Sequence, residues 1–302
     1  MVRYPILLGL CALAAAGKVA ALEAPAESAG WSAVVLPAAR QMDVEAKSNG
    51  KRYRIFVSVP ASPPPPGGHP VLYVLDGNAA FPVAAFLARG AAGRREVTGL
   101  PPPVVVGIGY PMEGDFDTAA RRRDYTVAGK DAAAEGEGGA EPFLDFLDKE
   151  LKPMVAARHP VNPGRQALFG HSFGGLLVVH ALVTRPASFS TFLASSPSIW
   201  WKDRVVLEGL PALLASGANP PRVQISVGAL EDQIRKGNYS AEMRAMLASR
   251  PMVSEARGLA ARLRAEPAWR ERVVYHELEG EDHGPAWMPA LTRGMQFFLE
   301  QP

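Results

Sequence analysis

Gln166-Ala167-Leu168-Phe169-Gly170-His171-Ser172-Phe173-Gly174-Gly175 is followed by Leu176-Leu177-Val178-Val179-His180-Ala181-Leu182-Val183-Thr184. The first four residues read as a short buried strand, and Gly175 to Thr184 reads as an apolar helix. Between them lies G-x-S-x-G, the pattern of a serine on a sharp strand-to-helix turn. A turn that tight leaves no room for a Cβ two positions either side of the serine, and Gly170 and Gly174 remove both. Its hydroxyl then stands above the sheet edge, beside the positive end of the helix dipole. The stretch predicts an α/β fold with a mostly parallel central sheet flanked by helices, and Ser172 as its nucleophile.

A nucleophile of this kind needs an acid and a histidine later in the chain, in the order Ser, Asp/Glu, His. Val223-Gln224-Ile225-Ser226-Val227-Gly228 is a β-like run that ends in Ala229-Leu230-Glu231-Asp232. Carboxyl ends of the strands are where sites of open α/β sheets form, so Glu231 is the candidate acid, with Asp232 its competitor. Val273-Val274-Tyr275-His276-Glu277-Leu278 is another strand candidate, followed by Glu279-Gly280-Glu281-Asp282-His283-Gly284. His283 is the candidate base among the six histidines, because a Gly-flanked polar loop after the last strand can bring its imidazole to the serine. His276 belongs to the strand pattern, His180 to the helix interior, and His69 and His159 to surface turns.

Oxyanion stabilisation needs two backbone donors. One is the N–H of Phe173, directly after the serine. The other is expected after the apolar strand Pro70-Val71-Leu72-Tyr73-Val74-Leu75, which breaks into Asp76-Gly77-Asn78. Gly77 is the first candidate and Asn78 the second.

These segments join others in one order: Val106-Gly107-Ile108-Gly109-Tyr110, Arg121-Arg122-Arg123-Asp124-Tyr125-Thr126, and Ala194-Ser195-Ser196-Pro197-Ser198-Ile199-Trp200-Trp201. The series resembles the putative-esterase (esterase D-like) family of α/β-hydrolases over roughly residues 40–300. Within it, the chain is most similar to the branch that hydrolyses ferric siderophores of the enterobactin type. The resemblance implies an α/β-hydrolase fold with a helical insertion near the site mouth, and serine esterase activity on a ferric trilactone. It implies no cofactor, since iron would arrive as part of the substrate, and no metal in the catalytic apparatus. Alternatives are an exported carboxylesterase acting on feruloyl or acetyl esters, an acyltransferase, or a binding protein with a vestigial triad.

Two features bear on such a substrate. Arg121 and Arg123 lie on the active-site side of the chain, and guanidinium groups suit bidentate capture of catecholate or carboxylate oxygens. Trp200 and Trp201 follow the strand next to the elbow strand, where one is expected in the core and the other against a catechol ring.

At 302 residues and 48% hydrophobic content, the chain can bury one large core. Residues 1–21 have a signal-peptide outline: Arg3, an apolar stretch from Ile6 to Ala16, then small residues around Ala20-Ala21. Cleavage is expected after Ala21, with Ala16 and Ala24 as alternatives, leaving 22–302 as a single catalytic domain. The stretch is short for a membrane span, so no stable membrane insertion is expected after cleavage, and the destination reads as periplasm. Cys11, the single cysteine, falls inside this segment, so a thiol nucleophile is excluded. Loss of Arg3 and Lys18 lowers 32 basic residues to 30, against 30 acidic, and global charge gives no case for nucleic acid.

A first hairpin is expected over about 41–46 and 52–59 around Asn49-Gly50, with parallel strands near 71–76, 103–109, 166–170, 191–195, 223–228 and 272–278. Gly129 to Ala140 has little to bury and is expected to be a mobile loop. Ser240 to Glu266 reads as one or two helices packed near the site mouth.

Overall fold

β1 (Ala39–Glu45) and β2 (Arg52–Ser58) form an antiparallel hairpin that opens an eight-stranded sheet. The computed structural model describes residue 32 and residues 34–129, 134–217, 219–233 and 240–300. The expected signal peptide, 1–21, lies outside the described residues. After the hairpin come β3 (His69–Val74), α1 (Gly77–Gly93), α2 (Arg95–Thr98), β4 (Val104–Gly109), α3 (Thr118–Tyr125) and α4 (Ala140–Phe146). A π-turn over Leu147–Leu151 joins α4 to α5 (Lys152–Arg158), and β5 (Val161–His171), α6 (Phe173–Thr184) and β6 (Thr191–Ser195) follow. The chain continues through α7 (Leu210–Ala215), β7 (Arg222–Gly228), α8 (Ala241–Ala248), α9 (Met252–Ala265), β8 (Val273–Leu278) and α10 (Trp287–Leu299).

Strand order is β1-β2-β4-β3-β5-β6-β7-β8, with β2 and β4 antiparallel and every pairing from β4 to β8 parallel. Parallel strands covered on both faces need unbroken apolar runs, and β3 and β4 are buried at every position. α1 and α10 cover one face; α3, α4, α6 and α9 cover the other. The chain leaves β3 toward β4 on one side, yet β5 pairs with β3 on the other. That reversal opens a crevice at the carboxyl ends of β3 and β5, where α/β folds bind ligands.

Some expectations shift. The hairpin closes through the four residues 47–50: Ala46 N–H donates to Lys51 O at 2.8 Å, and Gly50 takes φ 66°. His69 is buried, with Nδ1 3.1 Å from Pro102 O, because β3 is central and its first residue is covered. In the described part of the glycine-rich segment, Glu137 pairs with Arg122 and with Lys202, whose Nζ is 3.1 Å away, so this part is tethered rather than loose.

Candidate active site

Ser172 is the one residue between β5 and α6, at φ 60° and ψ −117°. A non-glycine residue there is strained and persists only where its surroundings over-determine it. They do so through three backbone hydrogen bonds. Ser172 N–H donates to Ser195 O (3.0 Å), and Ser172 O accepts from Leu176 N–H (2.9 Å) and Ser198 N–H (3.2 Å). A Cβ on Gly170 would meet Gly174 C at 2.5 Å and Leu75 Cδ1 at 2.9 Å, which is why the strand must leave through glycine.

His283 and Glu231 converge on this serine. His283 Nε2 lies 3.0 Å from Ser172 Oγ, and its Nδ1 lies 2.7 Å from Glu231 Oε2. A carboxylate only accepts, so it fixes the proton on Nδ1 and leaves Nε2 to accept the serine proton. Glu231 follows β7, and its side chain is 1% exposed. Its other oxygen accepts from Ser196 Oγ at 2.5 Å and Gly228 N–H at 2.7 Å. Gly228 is what lets the parts meet. A Cβ there would stand 2.6 Å from Glu281 O and 3.0 Å from Glu231 Oε1. Asp232 instead accepts from Val253 N–H (3.0 Å) and Ser254 N–H (3.2 Å), capping α9. The structure therefore brings Glu231, not Asp232, to the imidazole.

His171 supports this group from below. Its ring lies 4.7 Å from that of His283, and its Nδ1 is 3.1 Å from Ser195 Oγ. Desolvation, then the charges of His283 and Arg121, hold its pKa well below the usual histidine range, so it stays neutral.

Phe173 and Gly77 each open a helix, α6 and α1, so their N–H groups belong to the unpaired first-turn amides. Gly77 lies directly on the backbone of β4 at Gly107–Ile108. Asn78 is tied to the chain leaving β4: its Oδ1 accepts from Tyr110 N–H (2.9 Å) and its Nδ2 donates to Tyr110 O (3.1 Å).

The arginines require a correction. Arg121 donates from Nε to Asp76 Oδ1 at 2.9 Å and from Nη2 to Asp76 Oδ2 at 3.0 Å, with both side chains largely buried. Arg123 makes the same two-pronged contact with Asp124, at 2.7 and 2.8 Å. Both guanidinium groups are committed to internal carboxylates, and neither borders the cavity at Ser172. Trp201 is also turned inward. It is 7% exposed, donates from Nε1 to Val127 O at 3.0 Å, and stands edge-on to Phe173 at 5.3 Å. Trp200 does line the cavity, which measures about 320 Å³ and opens beside Ser172, His283 and Phe173.

Three participants escaped the sequence reading. Asp76 reads as half of an Asp-Gly turn, yet it anchors Arg121. Ser196, at φ 41°, donates to Glu231. Arg250, between α8 and α9, borders the cavity with Met246, Leu247 and Met252. The signal for the last was the amphipathic stretch 240–266, whose placement at the mouth was expected without naming a residue. Among the described residues, no cluster of three or more His, Cys, Asp or Glu side chains could hold a metal ion.

A family model described as "Putative esterase" matches residues 46–298. The ferri-bacillibactin esterase of Bacillus subtilis is 32% identical over 280 residues, 89% of this chain and 92% of that protein. A siderophore triacetylfusarinine C esterase of Aspergillus fumigatus is 36% identical over 284 residues, 88% of this chain and 95% of that protein. Among solved structures, the BES protein from Bacillus cereus superposes with TM-score 0.77 at 33% identity, covering 90% of this chain and 99% of that one. The siderophore hydrolase EstB from Aspergillus nidulans gives the same TM-score, 0.77, at 33% identity, covering 89% of this chain and 97% of that one. With the hydrolase topology and a serine elbow already in place, the chain belongs to the putative-esterase family of α/β-hydrolases and is a serine hydrolase of carboxylic esters.

Proposed function

We propose that this esterase opens the ester bonds of a siderophore, with Ser172 as nucleophile, His283 as base and then acid, and Glu231 orienting the imidazole. The observation that carries this reading is the continuous line Glu231–His283–Ser172, at 2.7 and 3.0 Å, beside a cavity of about 320 Å³. The volume suits one planar acyl unit of a larger molecule, at the small end of ligand pockets. Similarity to esterases named for bacillibactin, triacetylfusarinine C and enterobactin supports the substrate class.

Ser172 Oγ attacks the ester carbonyl carbon while its proton passes to His283 Nε2. The carbonyl π pair moves onto oxygen, where the N–H groups of Phe173 and Gly77 receive it. One such donor is worth roughly a hundredfold to a thousandfold in turnover. When the oxyanion collapses, the alkoxide leaves and takes the proton from His283, giving the alcohol. Water then repeats the sequence on the acyl-enzyme, releasing the acid and restoring Ser172. Each cleaved ester thus adds one water to the product.

The finer form of the proposal is a ferric catecholate trilactone of the enterobactin type as substrate, with iron entering only as its cargo. The enzyme would work in the periplasm after removal of residues 1–21, a reading that rests on the apolar stretch Ile6 to Ala16. The test is a mass-spectrometric assay of the purified enzyme with ferric and iron-free trilactones, beside feruloyl and acetyl esters. Stepwise gains of one water on the trilactone, at higher kcat/KM than on the simple esters, are expected. Higher kcat/KM on feruloyl or acetyl esters would make this a general carboxylesterase.

A further inference from the structure

Among the described residues that line the cavity beside the catalytic serine, Arg250 is the one lysine or arginine. Arg121, Arg122 and Arg123 pair with Asp76, Glu137 and Asp124, and Lys202 with Glu137. Arg250 borders the cavity at Ser172, and among the described residues no carboxylate pairs with it. Its guanidinium carbon instead lies 4.5 Å from the centroid of the Trp200 ring. That ring is itself held, since Trp200 Nε1 donates to Met252 Sδ at 3.1 Å. Just beyond it, Lys202, Asp203 and Arg204 run in succession at φ 42°, 54° and 67°. Lys202 is fixed to Glu137 and Arg204 to Glu255, so the irregular turn that carries the tryptophans is pinned at both of these residues.

A guanidinium stacked on an aromatic face uses its π surface for the contact and keeps its in-plane N–H donors. Those donors match a pair of oxygens on a planar anion. The rest of the lining, Met246, Leu247, Met252 and Phe173, offers apolar surface to an aromatic ring. Glu231 also lines the cavity, but one of its oxygens is bonded to His283 and the other to Ser196 and Gly228, so it does not hold Arg250 as a hydrogen-bond partner.

We propose that Arg250, stacked on Trp200, is the charge-selecting residue of this esterase, and that it receives the oxygens of a planar, anionic aryl group of the substrate. The turn between α8 and α9 is then a specificity element. In its full form the inference rests on the siderophore reading, and it favours an anionic tricatecholate over a neutral trihydroxamate ester as substrate.

The test separates the subsite from that reading by using small ligands. Hydrolysis of 4-nitrophenyl acetate is inhibited competitively with 2,3-dihydroxybenzoate and with its neutral isostere 2,3-dihydroxybenzamide, in wild type and in Arg250→Gln. The ratio of the two inhibition constants does not depend on how much of the variant is folded. Wild type is expected to prefer the anion, and Arg250→Gln to reduce that preference about tenfold, the loss of one charge-assisted contact. In parallel, kcat/KM for a ferric tricatecholate trilactone relative to a ferric trihydroxamate ester should fall in the variant, through KM rather than kcat. An unchanged anion preference in Arg250→Gln, or none in wild type, overturns the subsite whatever the siderophore result. A preference that is lost as expected, in an enzyme that opens no siderophore, keeps the subsite and sinks the substrate reading instead.

Discussion

At the scale of single residues, two adjacent carboxylates have different work. Glu231 is enclosed and bonded to His283, while Asp232 faces the first turn of α9. Glu231→Gln keeps the shape but can offer its amide to Nδ1, favouring the wrong tautomer. Turnover is expected to fall on the order of a hundredfold or more. Asp232→Asn should change turnover only a few-fold, because its contacts are to α9. Measuring both kcat values decides the assignment, and the reverse ranking would hand the role to Asp232. The sequence ranks Glu231 ahead of Asp232 without excluding the latter, because both follow the same strand, and the turn geometry is what separates them. His171 and His180 give a second expectation. Desolvation is the largest influence on both and depresses their pKa values when folded. As pH falls through the ordinary 6.5, the unfolded chain takes up protons that these folded residues refuse. Stability should therefore drop below about pH 6.5, by up to about 1.4 kcal/mol per pH unit for each histidine. Urea unfolding from pH 7 to pH 5 reads that slope, and His171→Gln should flatten it. An equal slope in the variant would mean His171 titrates normally.

Between elements, the Arg121–Asp76 pair is a clamp. Asp76 sits at φ 51° between β3 and α1, where its N–H donates to Tyr125 Oη at 3.1 Å. Arg121 comes from α3 and lies 5.9 Å from the Phe173 ring centroid. The pair thus ties the Gly77 loop to α3, close to the nucleophile. Removing one partner of such a buried pair typically costs about 3–5 kcal/mol, because the other charge is left unpaired. Arg121→Ala should lower the melting temperature and reduce turnover of neutral and anionic esters alike. A loss confined to anionic esters would restore Arg121 to direct substrate contact. Why the arginines misled is physical. A run of Arg at a sheet's active edge has the same letters whether it faces ligand or a partner 45 positions earlier, and Asp76 advertises only a turn. Local patterns, by contrast, were readable. The six parallel strands came from short β-like runs, fully apolar over Pro70 to Leu75 and interrupted by polar residues over 223–228 and 273–278, and the helices over 240–266 from a composition rich in Ala, Met, Leu and Arg. β5 begins earlier than expected because Val161 pairs with His69 through polar, turn-like residues.

For the molecule as a whole, the fold was legible because one tight turn dictates so much. A serine between a strand and a helix places a sheet edge, a dipole and a crevice together, and the order Ser, acid, His then follows from strand succession. Ser172, Glu231 and His283 stand after β5, β7 and β8, with the histidine 111 positions after the serine, so only the assembled sheet unites them. What stayed hidden is the cavity's outer wall, where Arg250 and three apolar residues from α8, α9 and the turn between them meet Trp200. No local pattern announces such long-range packing. The central claim is that Ser172 carries the acyl group between the two half-reactions. Rapid-quench intact-mass analysis during turnover of an activated aryl ester, followed by peptide mapping, tests it directly. The account predicts a transient adduct of the acyl mass on the peptide containing Ser172, and none in Ser172→Ala, with turnover lost by about a thousandfold or more. An adduct on another residue, or near-normal turnover by folded Ser172→Ala enzyme, would contradict it.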